Sequence, residues 1–348
     1  MPYKVIHVGT GGFGASWCSR FLPPNVADGH IQVVAAVDKN PDVLVNAQTH
    51  LGISPDRCYT DLREALQQNR ADFATVVVPP ASHEEVIDIA LEHDLHILSE
   101  KPIADTMEAS IRILKKVRAA GKKMGVTMSH RYDQDKTTFR EVLKSGCLGP
   151  VDYVVTRFTC ALRKYGSWGA PFRHEMADAL LIEGAIHHLD ILRSLAQSDC
   201  DRIYARTWNA AWGEYKGDSD GLVIMEMANG VKCFYEGAKT NAAGLNCWGQ
   251  EYFRAECEHG TLVLDRRQIQ ILRQDQEPEP VALLEQAKWT NAWLIEQFCR
   301  WLDGSQPMET CVEDNIQASA LVFSAIESSR TGQPVAVQDF LQRHLGPD

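Results

Sequence analysis

No stretch of this 348-residue chain approaches the roughly 20 consecutive apolar residues that a membrane-spanning helix needs. Its start, Met1-Pro2-Tyr3-Lys4-Val5-Ile6, runs straight into a strand pattern and lacks the charged start and apolar stretch of a secretory signal. Basic charge is in short supply: 35 Lys and Arg stand against 46 Asp and Glu, a net charge of −11, and no basic cluster offsets it. Binding to nucleic acid or to an anionic membrane surface requires a basic face, so neither is expected as a partner. The 10 cysteines are scattered and no two stand at C-x-x-C spacing. That argues against a zinc or dithiol site, and it predicts free thiols in a reducing compartment, the cytoplasm. Internal repeats and low-complexity tracts are missing as well.

What is present is an ordinary globular composition, 45% hydrophobic and 23% charged, long enough for two domains. Strand and helix patterns alternate in the first third. Strands are expected over 3–8, 31–37, 73–78, 95–98 and 124–128. Helices are expected over 12–22 (stopped by Pro23-Pro24), after Asn40-Pro41, from a Thr60 cap to 68, from Ser82 to about 92, and over 106–120. Such alternation predicts a parallel sheet covered on both faces. After about residue 129 the pattern changes. A helix over 136–145 and a strand over 151–160 precede hairpin-like pairs, with Asn229-Gly230 reading as a type I′ turn. Two amphipathic helices, about 289–302 and 312–329, follow. The fold class is therefore α/β: a doubly wound Rossmann sheet over 1–128, then an α+β domain with an open, largely antiparallel sheet over 129–348.

Directly after the first strand stands Gly9-Thr10-Gly11-Gly12-Phe13-Gly14, a G-x-G-x-x-G turn in its required strand–turn–helix context. Gly9 permits the tight turn, Gly11 a close approach to a pyrophosphate, and Gly14 close helix–strand packing. Gly12 and Phe13 complete a helix N-terminus whose N–H groups and dipole favour anions. The second strand ends in Asp38, where a carboxylate accepts hydrogen bonds from ribose hydroxyls and repels a 2′-phosphate. NAD is therefore the expected cofactor; Lys39 beside it leaves NADP possible. Read locally, Asp38 is equally a strand-end cap.

The strand expected over 95–98 runs into Ser99-Glu100-Lys101-Pro102, which puts a lysine at the carboxyl end of a parallel strand, toward the ligand crevice. Taken alone, Lys101 reads as a surface residue before a turn. Further on, Glu183-Gly184-Ala185-Ile186-His187-His188-Leu189-Asp190 places Glu183, His187 and Asp190 on one face at helical spacing. Histidine titrates near neutrality and suits removal of a hydroxyl proton. A lysine cation stabilises a developing alkoxide. A metal site at His187, His188 and Asp190 is not implied, because adjacent histidines project differently from a helix.

Taken together, the glycine turn, Pro79-Pro80-Ala81-Ser82-His83, Glu100-Lys101-Pro102 and His187-His188-Leu189-Asp190 make the chain resemble the Gfo/Idh/MocA family, which includes glucose–fructose oxidoreductase and inositol dehydrogenase. The resemblance covers essentially the whole chain. It implies a Rossmann domain joined to a sheet domain that makes a homodimer or homotetramer, acting on sugars, inositols or polyols. It implies Lys101 and His187 as catalytic groups, with Glu183 where inositol-dehydrogenase-like members carry aspartate. It adds Pro79, Pro80, His83 and Glu100 to the cofactor side. Arg131 resembles a position close to the crevice, and Asp190, Arg163, Trp168 and Arg173 are the remaining substrate-side candidates. Other readings on the same scaffold are a glycoside-cleaving enzyme with tightly held NAD and a non-enzymatic NAD-binding sensor.

Overall fold

In the computed structural model, which describes residues 1–346, the chain forms two units. One holds residues 1–129 and 288–316; the other holds 130–287 and the chain from 317 onward. The first is built on a six-stranded parallel sheet in the order Cys58–Tyr59, Ile31–Val37, Tyr3–Val8, Phe73–Val76, His96–Glu100, Met124–Thr127. Its strands are short apolar runs buried on both faces, as a sheet flanked by helices demands. Tyr3–Val8 pairs with Ile31–Val37 on one side and Phe73–Val76 on the other. The strand order reverses between Tyr3–Val8 and Phe73–Val76, and the glycine turn leaves the sheet at that switch point.

Helix signals in this unit hold with small shifts. Thr106 caps Met107–Ala119 by accepting the Ala109 N–H at 3.2 Å. Asn40 accepts the Asp42 N–H at 3.1 Å. The helix expected to start at Thr60 starts one residue later, because the Asp61 carboxylate accepts the Glu64 N–H at 3.0 Å. One expectation is overturned. Pro23-Pro24 do not stop the first helix: the chain winds on through Phe13–Ser16, a π-helical stretch Trp17–Phe21, and Leu22–Ala27. The widened π turn shifts the carbonyls that a proline ring would otherwise strike, so the pair fits at the change of winding.

Residues 288–316, which the sequence reading assigned to the second domain, belong to this unit. Phe298 of helix Thr290–Leu302 packs edge-on against Phe73 with ring centres 5.1 Å apart. Tyr3 donates a 2.6 Å hydrogen bond to Asp303.

The second unit carries a nine-stranded sheet in the order Glu279–Val281, Gln268–Leu272, Gly260–Asp265, Tyr252–Cys257, Val151–Thr159, Lys232–Ala238, Asp220–Met227, Cys200–Trp208, Val335–Ala336. All pairings are antiparallel except that of Val151–Thr159 with Lys232–Ala238. Side chains alternate strictly: Val223 and Met225 are buried, Leu222 and Ile224 exposed. The Asn229-Gly230 hairpin forms, but not as a type I′ turn. Asn229 is not among the residues with positive φ; Gly230 alone has φ +90°, and its N–H bonds to the Met227 carbonyl at 2.8 Å. This is a tight turn ended by a left-handed glycine, in the manner of a bulged hairpin.

The expectation of free thiols throughout is also corrected. Cys160 and Cys247 form a disulfide across a sequence separation of 87. Tertiary pairing, not spacing, brings them together. Among the described residues, no helix is long and apolar enough to cross a membrane.

Candidate functional site

In the first unit the glycine turn is shaped by sterics. At Gly9 (φ +94°) a Cβ would collide with the Val77 carbonyl, and at Gly14 a Cβ would collide with the Gly9 carbonyl. Both positions therefore require glycine. Gly12 begins the helix with no side-chain cap, and a Cβ there would meet nothing within 4 Å, so the space beside it is open, while the Gly14 and Ala15 N–H groups bond to the carbonyls of Gly11 and Gly12. A pyrophosphate fits such a cradle. Phe13 is exposed.

The Asp38 carboxylate accepts the backbone N–H groups of Thr10 at 2.8 Å and Gly11 at 3.1 Å through one oxygen and that of Asn40 at 2.9 Å through the other. It therefore organises the turn itself. A carboxylate has about four acceptor positions, so capacity remains for a ribose hydroxyl. Lys39 is exposed and ion-paired with Glu85 at 3.2 Å.

Three residues expected near the cofactor turn out to be internal ties. Glu100 is buried and accepts hydrogen bonds from Trp17 Nε1 and Asn291 Nδ2, each at 2.9 Å. It binds the first helix to helix Thr290–Leu302, and burial raises its pKa. His83 is fully buried; its ring nitrogens lie 2.9 Å from the Pro102 carbonyl and 3.0 Å from that of Val78. It thereby connects the turn after Phe73–Val76 with the Lys101-Pro102 turn. Pro80 is buried beside it, while Pro79 is exposed. The Lys101-Pro102 bond is cis. Lys101 itself is half-buried at the carboxyl end of strand His96–Glu100.

In the second unit the helix Ile186–Ala196 is entered through a π-helical stretch, Leu180–Ala185. That winding changes the reading of one shared face. Glu183 reaches Arg173, whose Nε donates at 2.8 Å, while Asp190 reaches Arg131, whose Nε donates at 2.8 Å and whose Nη2 also donates. Arg131 and Asp190 were expected to hold substrate. Both are buried and bond each other as a two-pronged pair, which ties Arg131 to the helix. Arg163 donates from Nε to the carbonyls of Thr240 at 2.8 Å and Asn241 at 3.0 Å. Trp168 is buried, and its carbonyl accepts from Arg173 at 3.2 Å.

His187 is 4% exposed and stands among side chains that no motif announced. Its ring centre is 4.4 Å from that of His130 and 5.8 Å from that of Trp248, the latter edge-on. His188 is fully buried, stacked on Phe158 at 4.4 Å, and burial holds it well below its ordinary pKa. The Lys239 ammonium lies over the rings of Phe158, Trp168 and Trp248, at 3.7, 3.9 and 4.8 Å, against the backbone of Gly184. Beneath the histidines, Lys136 pairs with Glu251 at 2.8 Å and Asp133 at 3.1 Å. Burial alone would raise the Asp133 pKa, but Lys136 and His130 hold it well below the usual range. His130 was within reach of sequence reading, as the neighbour of Arg131. Lys239, Trp248 and Glu251 carry no spacing signal. Among the described residues, no group of three His, Cys, Asp or Glu side chains is arranged to hold a metal ion.

Comparison with known proteins matches residues 3–128 to the Gfo/Idh/MocA oxidoreductase family, NAD-binding Rossmann fold, and residues 137–263 to a Gfo/Idh/MocA C-terminal domain. The chain is 53% identical to the uncharacterized protein y4oX of Sinorhizobium fredii, over 99% of this chain and 98% of that one. It is 28% identical to inositol 2-dehydrogenase of Corynebacterium glutamicum, over 66% of this chain and 64% of that protein. In fold it is similar to an inositol dehydrogenase homolog from Azotobacter vinelandii solved with NADH and myo-inositol, at a TM-score of 0.81 and 19% identity, covering 97% of this chain and 98% of the other.

Proposed function

This chain belongs to the Gfo/Idh/MocA family of NAD-binding oxidoreductases, and we propose that it is a dehydrogenase acting on a hydroxyl-bearing carbon of an inositol, sugar or related polyol. The observation that carries this reading is the glycine turn of the first unit, whose shape requires glycine at Gly9 and Gly14; in the second unit a buried imidazole, His187, stands at the start of a helix. The relative from Corynebacterium and the myo-inositol-bound homolog from Azotobacter support the substrate class.

When bound, NAD supplies the hydride acceptor. In this proposal His187 takes the hydroxyl proton as general base. Glu183, held by Arg173, supports the charge His187 acquires. Lys101 orients the hydroxyl and stabilises its developing negative charge. Lys101 and His187 thus form the acid/base pair. Gly9, Gly11, Gly12, Phe13 and Gly14 hold the pyrophosphate, and Asp38 favours NAD over NADP. Because the proposed reaction draws on the cell's NAD, the cytoplasm is the compartment proposed for it.

The outer face of the second unit's sheet completes the proposal. Leu222 is 51% exposed, Ile224 43% and Phe234 36%. Ile224 and Phe234 are cross-strand partners, and Phe234 in turn faces Val155. An apolar band on an open sheet calls for a cover, and a second copy of the same face, sheet on sheet, supplies one as a homodimer or a pair of homodimers.

The test is nicotinamide absorbance with NAD or NADP and a panel of myo-inositol, other inositols, sugars and polyols. Reduction of NAD by one class supports the reading. Lys101→Met and His187→Ala should each lower turnover by at least about 100-fold while NAD binding persists. Full turnover in either variant removes that residue from the mechanism. Silence across the panel, with NAD bound and resistant to dialysis, favours a glycoside-cleaving enzyme or a sensor.

A further inference from the structure

His187 is nearly closed off, and the reaction proposed for it leaves it with a proton. Each oxidation of a secondary alcohol sends a hydride to NAD and releases one proton from the hydroxyl. That proton must leave His187 before the next turnover. One face of the His187 ring is closed edge-on by Trp248. The other imidazole in contact is His130, with ring centres 4.4 Å apart. Unlike His187, the His130 side chain is 25% exposed.

We propose that His130 is the proton outlet of the site. On this view the His187 imidazolium gives its proton to a ring nitrogen of His130, and His130 gives it to solvent or buffer. Each step breaks one N–H bond and forms another, and no electrons move. The inference rests on the reading of His187 as general base. His130 acts through His187, so it is a positioning and proton-carrying residue rather than a catalytic one.

The surroundings of His130 suit that task. On the N-terminal side of helix Gln134–Lys144, Asp133 Oδ2 lies 3.2 Å from His130 Nδ1. Ahead of strand Tyr252–Cys257, Glu251 Oε1 lies 3.8 Å from the same nitrogen. Both carboxylates thus face one nitrogen of the His130 ring. Lys136 bridges both, at 3.1 Å and 2.8 Å, and Asp135 lies 3.4 Å from Lys136. The buried ammonium stops the two carboxylates from trapping the proton outright. From helix Ile186–Ala196 come His187 and His188; the latter lies 4.0 Å from Glu251, and burial keeps it neutral. The Lys239 ammonium lies 4.8 Å from the centre of the Trp248 ring. Arg131 and Asp190 are closed on each other. Among these groups His130 combines contact with His187, an imidazole able to take up and release a proton, and a side chain open to water.

Two measurements on NAD-saturated protein test this. The first needs no substrate: ring nitrogen and carbon resonances of His187 are followed against pH in wild type and in His130→Gln. Two imidazoles exchanging a proton across a contact titrate as a coupled pair. His130→Gln removes one member of that pair, so the His187 midpoint should move. An unchanged midpoint overturns the proposal.

The second uses the polyol identified by the absorbance panel, starting with myo-inositol. In dilute buffer His130→Gln should keep the first-turnover burst of NADH but lose about tenfold in steady-state rate. Added imidazole should restore that rate, and the acid limb of the kcat profile should move upward. Loss of burst and steady state together, with no rescue by imidazole, shows a structural role and overturns the outlet. His130→Asn repeats both measurements where the glutamine variant unfolds. Failure of the parent reading looks different: His187→Ala then retains its burst, or no polyol is oxidised, and the resonance titration still decides whether the two rings share a proton.

Discussion

The Arg131 guanidinium donates from Nε and Nη2 to the two carboxylate oxygens of Asp190, and the side chains are 5% and 0% exposed. The bond ties Arg131 to the second turn of helix Ile186–Ala196, the helix that carries His187 and His188.

Breaking that pair leaves a buried charge without its counterpart. Asp190→Ala should destabilise the protein by about 3–5 kcal/mol, read as a fall in the urea midpoint. Replacing both residues with apolar ones of similar size, Arg131→Met with Asp190→Leu, should recover most of the loss. If Asp190→Ala instead folds as stably as wild type and raises only KM, the pair is not the tie described and Asp190 belongs with substrate.

The glycine turn separates two kinds of requirement. A Cβ on Gly14 would strike the Gly9 carbonyl, whereas one on Gly11 would meet only the flexible Val43 side chain, at 3.3 Å. Gly14→Ala should cost about 3 kcal/mol or more in stability and abolish NAD binding. Gly11→Ala should keep its melting temperature yet lose about tenfold or more in NAD affinity, because its Cβ occupies the space of the pyrophosphate. Equal melting temperatures for the two variants would contradict the geometry.

Acid should weaken the first unit through His7. This histidine is fully buried on the central strand, lies 2.8 Å from the Thr75 hydroxyl and stacks against Trp17. Burial lowers its pKa to about 4. The folded state therefore resists a proton that the unfolded chain accepts near its ordinary pKa of 6.5. The stability present above pH 6.5 is lost as pH falls toward 4, and the loss levels off below that, with a magnitude of about 3 kcal/mol. Melting temperature should fall across this window in wild type and less steeply in His7→Asn. Parallel curves for the two proteins would assign the acid sensitivity to other groups.

A charge placed in the apolar band should separate the copies. Ile224→Glu puts a carboxylate at a position flanked by Phe234 on one side and Tyr204 on the other. In the proposed sheet-on-sheet dimer it meets its own symmetry mate across the interface. Light scattering after size exclusion should then report a smaller species than wild type, with far-UV circular dichroism unchanged. An unaltered mass would put any interface elsewhere.

Thiol chemistry checks the one covalent cross-link. Of the ten cysteines, Cys160 and Cys247 are joined. Protein unfolded without reductant should expose two fewer reactive thiols than protein unfolded with it. Equal counts would mean that the bond does not form in solution.

Local chemistry was enough for much of this molecule. The glycine turn could be read because its strand, turn and helix lie within a few residues of one another, so hydrophobic period and glycine spacing report the same object. The cap at Asn40 was legible for the same reason. Helical spacing likewise brought His187 and Glu183 to notice, and the family resemblance assigned them roles.

Tertiary structure decided the rest, because periodicity shows which face of an element is buried but not what it meets there. Arg131 and Asp190 became partners of each other only when the chain folded back between them. Arg173 found Glu183 through the loop that precedes the π-helical stretch Leu180–Ala185. His130, Trp248, Lys239 and Glu251 reached the two histidines through strand pairings and loops far apart in sequence. The return of residues 288–316 to the first unit is of the same kind: Asn291 finds Glu100 and Phe298 finds Phe73 through packing across nearly 200 residues or more, which leaves no local trace.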